Sequence, residues 1–272
     1  MKSFANKVAV ITGAGSGIGR ALAQQLSEEG ALLALSDVNE KGLEETQASL
    51  KGSGKVTLTK LDVADRSAFE QYANDTITEF GHVDMLFNNA GVALAQTVED
   101  CSYDDFEWLM NINFWGVVYG TKSFLPHMLT RPEAAIVNVS SIFGIIALPT
   151  QSQYNAAKFA VRGFTESLRQ EVKDSNLNVS CVHPGGIKTN IVVNGRIHAS
   201  MVGEQTHAQQ IEEFNKMART TPAKAAQTIL KGVSKNKRRI LIGQDAKFMD
   251  RIQRLFPEKY TDIFGALLKL AR

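Results

Sequence analysis

Residues 7–19 read KVAVITGAGSGIG: an apolar run of strand length, Lys7–Thr12, then a turn with glycines at 13, 17 and 19, then the start of a helix reaching about Gly30. Glycine permits a tight turn and lets a ligand approach the backbone closely. A helix that opens in such a turn points its positive end and free N–H groups at the ligand, which suits a pyrophosphate. The spacing GxxxGxG differs from the commoner GxGxxG, but the physics is shared. A tight structural turn would need the same glycines, so the strand before and the helix after carry the reading. Gly13, Ser16, Gly17, Ile18 and Gly19 are therefore candidate cofactor contacts.

Working outward, short apolar runs continue to alternate with helical periods, as in βα units on a parallel sheet. Further strands are expected at Ala31–Asp37, Lys55–Asp62, Val83–Asn88, Ala134–Ser140, Asn178–His183 and Arg238–Gly243. Helices are expected at about Asp65–Phe80, Tyr103–Leu129 and Gln151–Asp174, with a polar helix after Asp37. The strands are rich in Val, Ile and Leu, as strands covered on both faces are. The expected fold is a single α/β domain, Rossmann-like and doubly wound, with a seven-stranded parallel sheet. One stretch, Gly186–Pro222, is polar and weakly patterned. Its position after the sixth strand suits a substrate lid, against the alternative of a plain structural insertion.

The 272 residues fit one large domain or two small ones, and 44% of them are hydrophobic, enough for an ordinary core. A net charge of +2 calls for neither nucleic acid nor an acidic partner. Cys101 and Cys181 stand far apart with no ligand-like spacing, so they suggest neither disulfide nor zinc and suit a reducing cytosol. The five histidines form no metal-binding cluster, and each is read as a surface or strand-end residue. Met1–Asn6 is too short and polar for a signal peptide, and no apolar run would span a bilayer, so a cytoplasmic protein is expected.

Asp37 ends the second strand, where an acidic residue would hydrogen-bond an adenosine ribose and repel a 2′-phosphate. Neither Ser16 nor Val38 offers that phosphate a cation, and Arg20 lies on the first helix. NAD is therefore expected over NADP, unless Asp37 is only a strand-end turn residue. Asp62-Val63 and Asn88-Asn89-Ala90-Gly91 close the third and fourth strands along the same rim. Tyr154 and Lys158 lie four apart on one helical face. A phenol is a poor base at neutral pH, and a neighbouring cation favours its ionised form. Such a pair is common on ordinary helices, and its place after the fifth strand, thirteen residues past Ser141, is what gives it weight.

In order, the turn Thr12–Gly19, Asp37, Asp62, Asn88–Gly91, Asn113, Ser141, Tyr154, Lys158 and Pro184-Gly185 resemble the classical short-chain dehydrogenase/reductase family over nearly the whole chain. The resemblance implies a nicotinamide-dependent enzyme that moves hydride between NAD and a carbonyl or alcohol carbon. It implies Tyr154 as general acid/base and Ser141 as hydrogen-bond partner of the substrate oxygen, with Ser140 as the rival serine. Lys158 would lower the tyrosine pKa and hold the nicotinamide ribose; Asn113 would bend its helix and hold a water. Ile187 and Thr189, beyond Pro184-Gly185, would bind the carboxamide end of the cofactor. Asn89 and Gly91 would contact the adenosine side, and Asp62-Val63 the adenine. Paired helices around Asn113–Met128 and Tyr154–Leu168 imply a homodimer or homotetramer.

Three features pull elsewhere. Lys235–Arg254 carries seven cations and two acids, read either as a solvated face or as attraction to an anionic substrate or membrane. Phe248, Ile252, Leu255 and Phe256, then Ile263, Phe264, Leu267 and Leu268, form a helical stripe that would pack on protein or rest on a membrane. Residues 142–149 are apolar beside the proposed Ser141 and hint at an apolar small-molecule substrate, though burial as core explains them nearly as well. A non-catalytic dinucleotide sensor and a membrane-surface protein acting on lipid-borne carbonyls remain the alternatives. An intact set of Asn113, Ser141, Tyr154 and Lys158 argues against the first.

Overall fold

The computed structural model describes residues 1–198 and 206–270 of the chain. The first half runs β1 (Val8–Thr12), α1 (Gly17–Glu28), β2 (Leu32–Asp37), α2 (Glu40–Ala48), β3 (Val56–Lys60), α3 (Arg66–Phe80), β4 (Met85–Asn88) and β5 (Leu94–Ala95). There follow α4 (Tyr103–Met110), α5 (Gly116–Leu129), β6 (Ala134–Val139), α6 (Ser152–Glu171), β7 (Leu177–Pro184) and β8 (Arg196–Ile197). The described chain closes with α7 (His207–Met217), α8 (Pro222–Ser234), β9 (Arg239–Ile242), α9 (Gln244–Leu255) and α10 (Tyr260–Leu270).

Seven strands form one sheet in the order β3-β2-β1-β4-β6-β7-β9, every neighbouring pair parallel. Helices cover both faces, which explains why β1 and β6 are buried along their whole length. One face packs against α1 and α8 through Leu22, Leu26, Ile229 and Val233. The other packs against α3, α5 and α6 through Phe69, Phe124, Met128 and Leu168. The chain winds outward from β1 to β3, then returns to β4 on the other side of β1. The reversal opens a crevice at the carboxyl ends of β1 and β4, where ligands of such sheets bind.

The helix expected as one element at Tyr103–Leu129 is interrupted. Asn111–Trp115 forms a π-helical turn between α4 and α5, and Gly116 donates its N–H to the Asn111 carbonyl. A wide turn inside an α-helix frequently marks a functional position.

Residues 199–205 of the proposed lid, including Met201 and Val202, lie outside the described residues. The rest is tied down at more points than its polar composition predicts. Ile187 bridges Thr220, joining the two ends of the segment. Strand β8 pairs with β5, and Arg196 adds a 2.6 Å ion pair to Asp105. Helix α7 lies within the segment proposed as a lid.

The C-terminal stripe packs on protein along its inner side. Ala246 of α9 and Phe264 of α10 bury against Ile142, Ile145 and Ile146, with Met249, Ile252 and Tyr260 partly buried beside them. Most of the apolar segment 142–149 is thus floor for the C-terminal helices rather than substrate wall. In the basic run, Arg239 pairs with Glu166 and Asp250, and Arg254 with Asp250.

Candidate functional site

Ser141, Tyr154, Lys158 and Asn113 come together at the carboxyl end of β6. Ser141 is the second residue past that strand, and its Oγ accepts from the Phe143 N–H at 3.1 Å. It also acts on the Tyr154 phenol, lowering its pKa against the larger effect of burial. Tyr154 and Lys158 lie one turn apart on α6, both buried, with Lys158 Nζ 5.6 Å from the centre of the tyrosine ring. That ammonium donates to the Val139 carbonyl at 3.2 Å. Asn113 sits in the π-helical turn with no exposure, its amide bonded both ways to the Val92 backbone at 2.8 and 2.9 Å. Ser140, the rival serine, faces away and donates to the Lys158 carbonyl at 2.8 Å.

Burial dominates the titration of the pair. Tyr154 is pushed up to about 12, with the Ser141 hydrogen bond acting in the opposite direction. Burial lowers Lys158 to about 8, because an ammonium loses its hydration there. The net effect on the Tyr154 phenol is upward, with burial its largest cause, and Lys158 Nζ lies over the ring face.

The glycine turn leads from β1 into α1. Gly13 and Gly17 take φ of +66° and +53°, which only glycine adopts cheaply. A Cβ on Gly19 would fall 2.2 Å from the Gly13 carbonyl oxygen. Ser16, the residue that opens α1, makes no side-chain capping bond, unlike the caps of α2, α3, α4, α7 and α8. The first N–H groups of α1 are therefore left without a side-chain cap, which suits an anionic diphosphate.

Asp37 stands beside this turn and accepts from Gly15 N–H and Asn39 N–H, each at 2.9 Å. Each carboxylate oxygen keeps a further lone pair for a ribose hydroxyl. Arg20 is held elsewhere: its guanidinium binds Thr46, Gly15 and Gly42 oxygens and pairs with Glu45 at 2.9 Å. The Asp37 carboxylate thus fits as an acceptor for a ribose hydroxyl of a dinucleotide.

The remaining rim residues divide. Asn89 spends its side-chain N–H groups on the Thr12 and Gly13 carbonyls, so it shapes the turn. Gly91 faces the catalytic end: a Cβ there would stand 3.0 Å from Asn113 Oδ1 and 3.4 Å from Lys158 Nζ. Asp62 is exposed and caps the Ala64 N–H at 2.9 Å, with Val63 buried beside it. Beyond Pro184 and Gly185, Ile187 joins the core under α8. The Thr189 side chain leans on the glycine turn, where a Cβ on Gly17 would lie 3.1 Å from its methyl carbon.

Next to Tyr154, Leu94, Leu109 and Ala157 form an apolar cluster edged by Val92, Trp108, Phe114 and Phe143. Phe143 meets the Tyr154 ring edge-on at 6.1 Å. Two supports escaped sequence reasoning because their partners are distant or carry no pattern. Asn155 donates to the Phe143 and Ile146 carbonyls, each at 2.7 Å, fixing the segment that carries Phe143. Asp245, at the start of α9, accepts from the Gly186 N–H at 2.7 Å where the lid begins. His183, expected at a surface or strand end, is buried at the end of β7. Among the described residues, no group of three or more His, Cys, Asp or Glu could hold a metal ion.

Comparison with known proteins accords with this architecture. Residues 7–199 match the short chain dehydrogenase family model. SadH of Mycobacterium tuberculosis is 47% identical over 98% of this chain and 96% of its own length. Dehydrogenase/reductase SDR family member 7B of Mus musculus is 35% identical over 87% of this chain and 73% of its own. Among solved structures, a short chain dehydrogenase/reductase of Burkholderia phymatum in complex with NAD superposes with a TM-score of 0.85 at 30% identity, covering 95% of this chain and 96% of that one. Levodione reductase gives 0.79 at 30% identity over 90% and 99%. This chain belongs to the short-chain dehydrogenase/reductase family of oxidoreductases.

Proposed function

We propose that the protein is an NAD-dependent oxidoreductase that interconverts a secondary alcohol and its ketone on a mainly apolar small-molecule substrate. The observation that carries the reading is Tyr154, buried with Ser141 and Lys158 at the carboxyl end of β6, with Lys158 Nζ 5.6 Å from its ring centre. Ser141 holds the substrate oxygen, and Tyr154 exchanges a proton with it. Lys158 reaches the nicotinamide ribose from beside Gly91, and Asn113 fixes the bent helix that faces it. The nicotinamide, when bound, accepts the hydride from the alcohol carbon or returns it to the ketone. Positioned acid–base help of this kind is worth roughly 10²–10⁴-fold in rate. The apolar cluster of Leu94, Leu109 and Phe143 supports an apolar substrate.

Asp37, with Arg20 committed to other partners, supports NAD over NADP. For assembly, Trp115 on the π-helical turn and Phe159 on α6 stay 43% and 39% exposed, which supports a homodimer or homotetramer through these helices. Light scattering at micromolar concentration reads the mass, and a monomer would count against it.

The test is a panel of open-chain, cyclic and aromatic secondary alcohols and their ketones, assayed with NAD and NADP side by side by nicotinamide absorbance. Tyr154→Phe should abolish turnover of the best substrate while leaving NAD affinity nearly intact. Turnover within a few-fold of the parent would overturn the assignment.

A second reading, action at a membrane surface, rests on Phe248, Leu255 and Phe256, which stay 49%, 70% and 46% exposed amid Lys247, Arg251 and Arg254. Among the described residues no helix is long and apolar enough to cross a membrane. Sedimentation with anionic liposomes separates the two readings.

A further inference from the structure

The parallel ladder between β6 and β7 ends just where the candidate site begins. Its last backbone bond runs from the Ser140 N–H to the Val182 carbonyl at 2.9 Å. One residue on, a side chain replaces the ladder: His183 Nδ1 lies 2.9 Å from the Ser141 carbonyl oxygen. A carbonyl can only accept, so Nδ1 carries the proton and Nε2 is left with its lone pair. The same carbonyl takes a second bond, from the Gly144 N–H at 2.9 Å, which closes the turn at Ile142–Gly144. Both lone pairs of the Ser141 carbonyl are thereby engaged by donors from opposite sides.

We infer that His183 is a positioning residue for Ser141: its Nδ1–H clamps the Ser141 backbone so that the serine hydroxyl stays aimed at the substrate oxygen. The imidazole has no exposed surface, and among the described residues its Nε2 has no hydrogen-bond partner. A buried acceptor left without a donor is costly, and a hydrophobic side chain would avoid that cost. Among the described residues, the one hydrogen bond the ring makes is that to Ser141. That residue needs the help, because it lies past the end of β6 in an extended conformation, at φ −160° and ψ 167°. Without the histidine, its peptide would be held on one side only, by the short turn.

The inference rests on the proposed role of Ser141, and the experiment separates the two. His183→Asn keeps an N–H donor near the place of Nδ1, whereas His183→Leu keeps the bulk and removes the donor. With the fastest alcohol of the panel, His183→Leu should lower kcat by about tenfold or more, with KM and NAD affinity changing little. His183→Asn should recover most of that loss. In a Ser141→Ala background, His183→Leu should have almost no further effect on kcat, because the group it positions is gone. Additive losses, or full turnover in a folded His183→Leu variant, would overturn the role. Full turnover in Ser141→Ala alone would instead overturn the reading of the site. A readout independent of substrate is the nitrogen spectrum of histidine-labelled protein. It should show His183 protonated at Nδ1 and bare at Nε2, and the opposite tautomer would refute the clamp.

Discussion

Ser140 Oγ donates to the backbone carbonyl of Lys158 at 2.8 Å, which separates the two adjacent serines into different jobs. Ser140 ties the end of β6 to α6, while Ser141 is the serine proposed to meet the substrate oxygen. Ser140→Ala should therefore cost roughly 1–3 kcal/mol of stability, read as a lower Tm, because it leaves a buried carbonyl short of a donor. Its kcat should fall far less than that of Ser141→Ala, which should lose about 10²-fold or more with Tm nearly unchanged. Equal losses of kcat in the two variants would remove the distinction.

Asp37 lies against Gly15, where the proposed function puts the adenosine ribose. NADP should bind far more weakly than NAD. Asp37→Ala should narrow the gap mainly by weakening NAD, since the ribose diol loses an acceptor worth about 1.5–3 kcal/mol. Equal kcat/KM for both cofactors in the parent protein would show that the end of β2 does not select.

Lys158 is buried and its pKa falls to about 8, below the roughly 10.4 of a free lysine. Between those values the unfolded chain binds more protons than the folded one, so stability rises with pH across the window. Below pH 8 the full penalty stands, about 3 kcal/mol, less whatever the bond to Val139 returns. Lys158→Met should thus raise Tm by a few degrees at pH 7 while destroying activity. The gain should vanish by about pH 10. A lower Tm at pH 7 would mean that the bond to Val139 outweighs desolvation.

Arg196 joins the proposed lid to the body by two contacts at once. Its guanidinium lies 4.0 Å over the Trp108 ring and pairs with Asp105, whose carboxyl it holds below the usual range. The amides of Arg196 and His198 donate to the Ala93 and Ala95 carbonyls. These amides should resist hydrogen exchange before any ligand is added and should exchange faster in Arg196→Ala. The same variant should raise KM for an apolar substrate several-fold, since Trp108 edges the cluster beside Tyr154. Unchanged exchange in the variant would show that the β5 and β8 pairing alone holds the strap.

The parts legible in the sequence are those written in local pattern. All seven main strands, the glycine turn and the spacing of Tyr154 and Lys158 follow from periodicity and residue type within a few positions. Boundaries drifted where side chains outlast backbone pairing: the third strand, expected to reach Asp62, ends its ladder at Lys60. The interactions that were not legible join distant positions. Asp84 is fully buried, bonded to the Val8 N–H at 3.0 Å and paired with Arg131 at 3.1 Å. Asp245 and His183 act in the same way, and no window of sequence contains both ends of such a bond; Asn155 lies only 9 and 12 residues from its partners, but no residue pattern marks the pairing. Strands β5 and β8 span two residues each, too short to leave any alternation.

The floor beneath residues 142–146 has a consequence for how the protein is made. Tyr260 Oη accepts from the Ala147 N–H at 3.1 Å across 113 residues of chain, and Phe264 closes the same cluster. On a ribosome adding roughly 5–20 residues each second, Ser141 and Tyr154 emerge on the order of ten seconds before the helices that support them. During that interval Ile142, Ile145 and Ile146 lack the cover of α9 and α10. The nascent enzyme thus carries a sticky, unfinished face through much of its synthesis. A ribosome paused before α9 would display that face to any chaperone within reach.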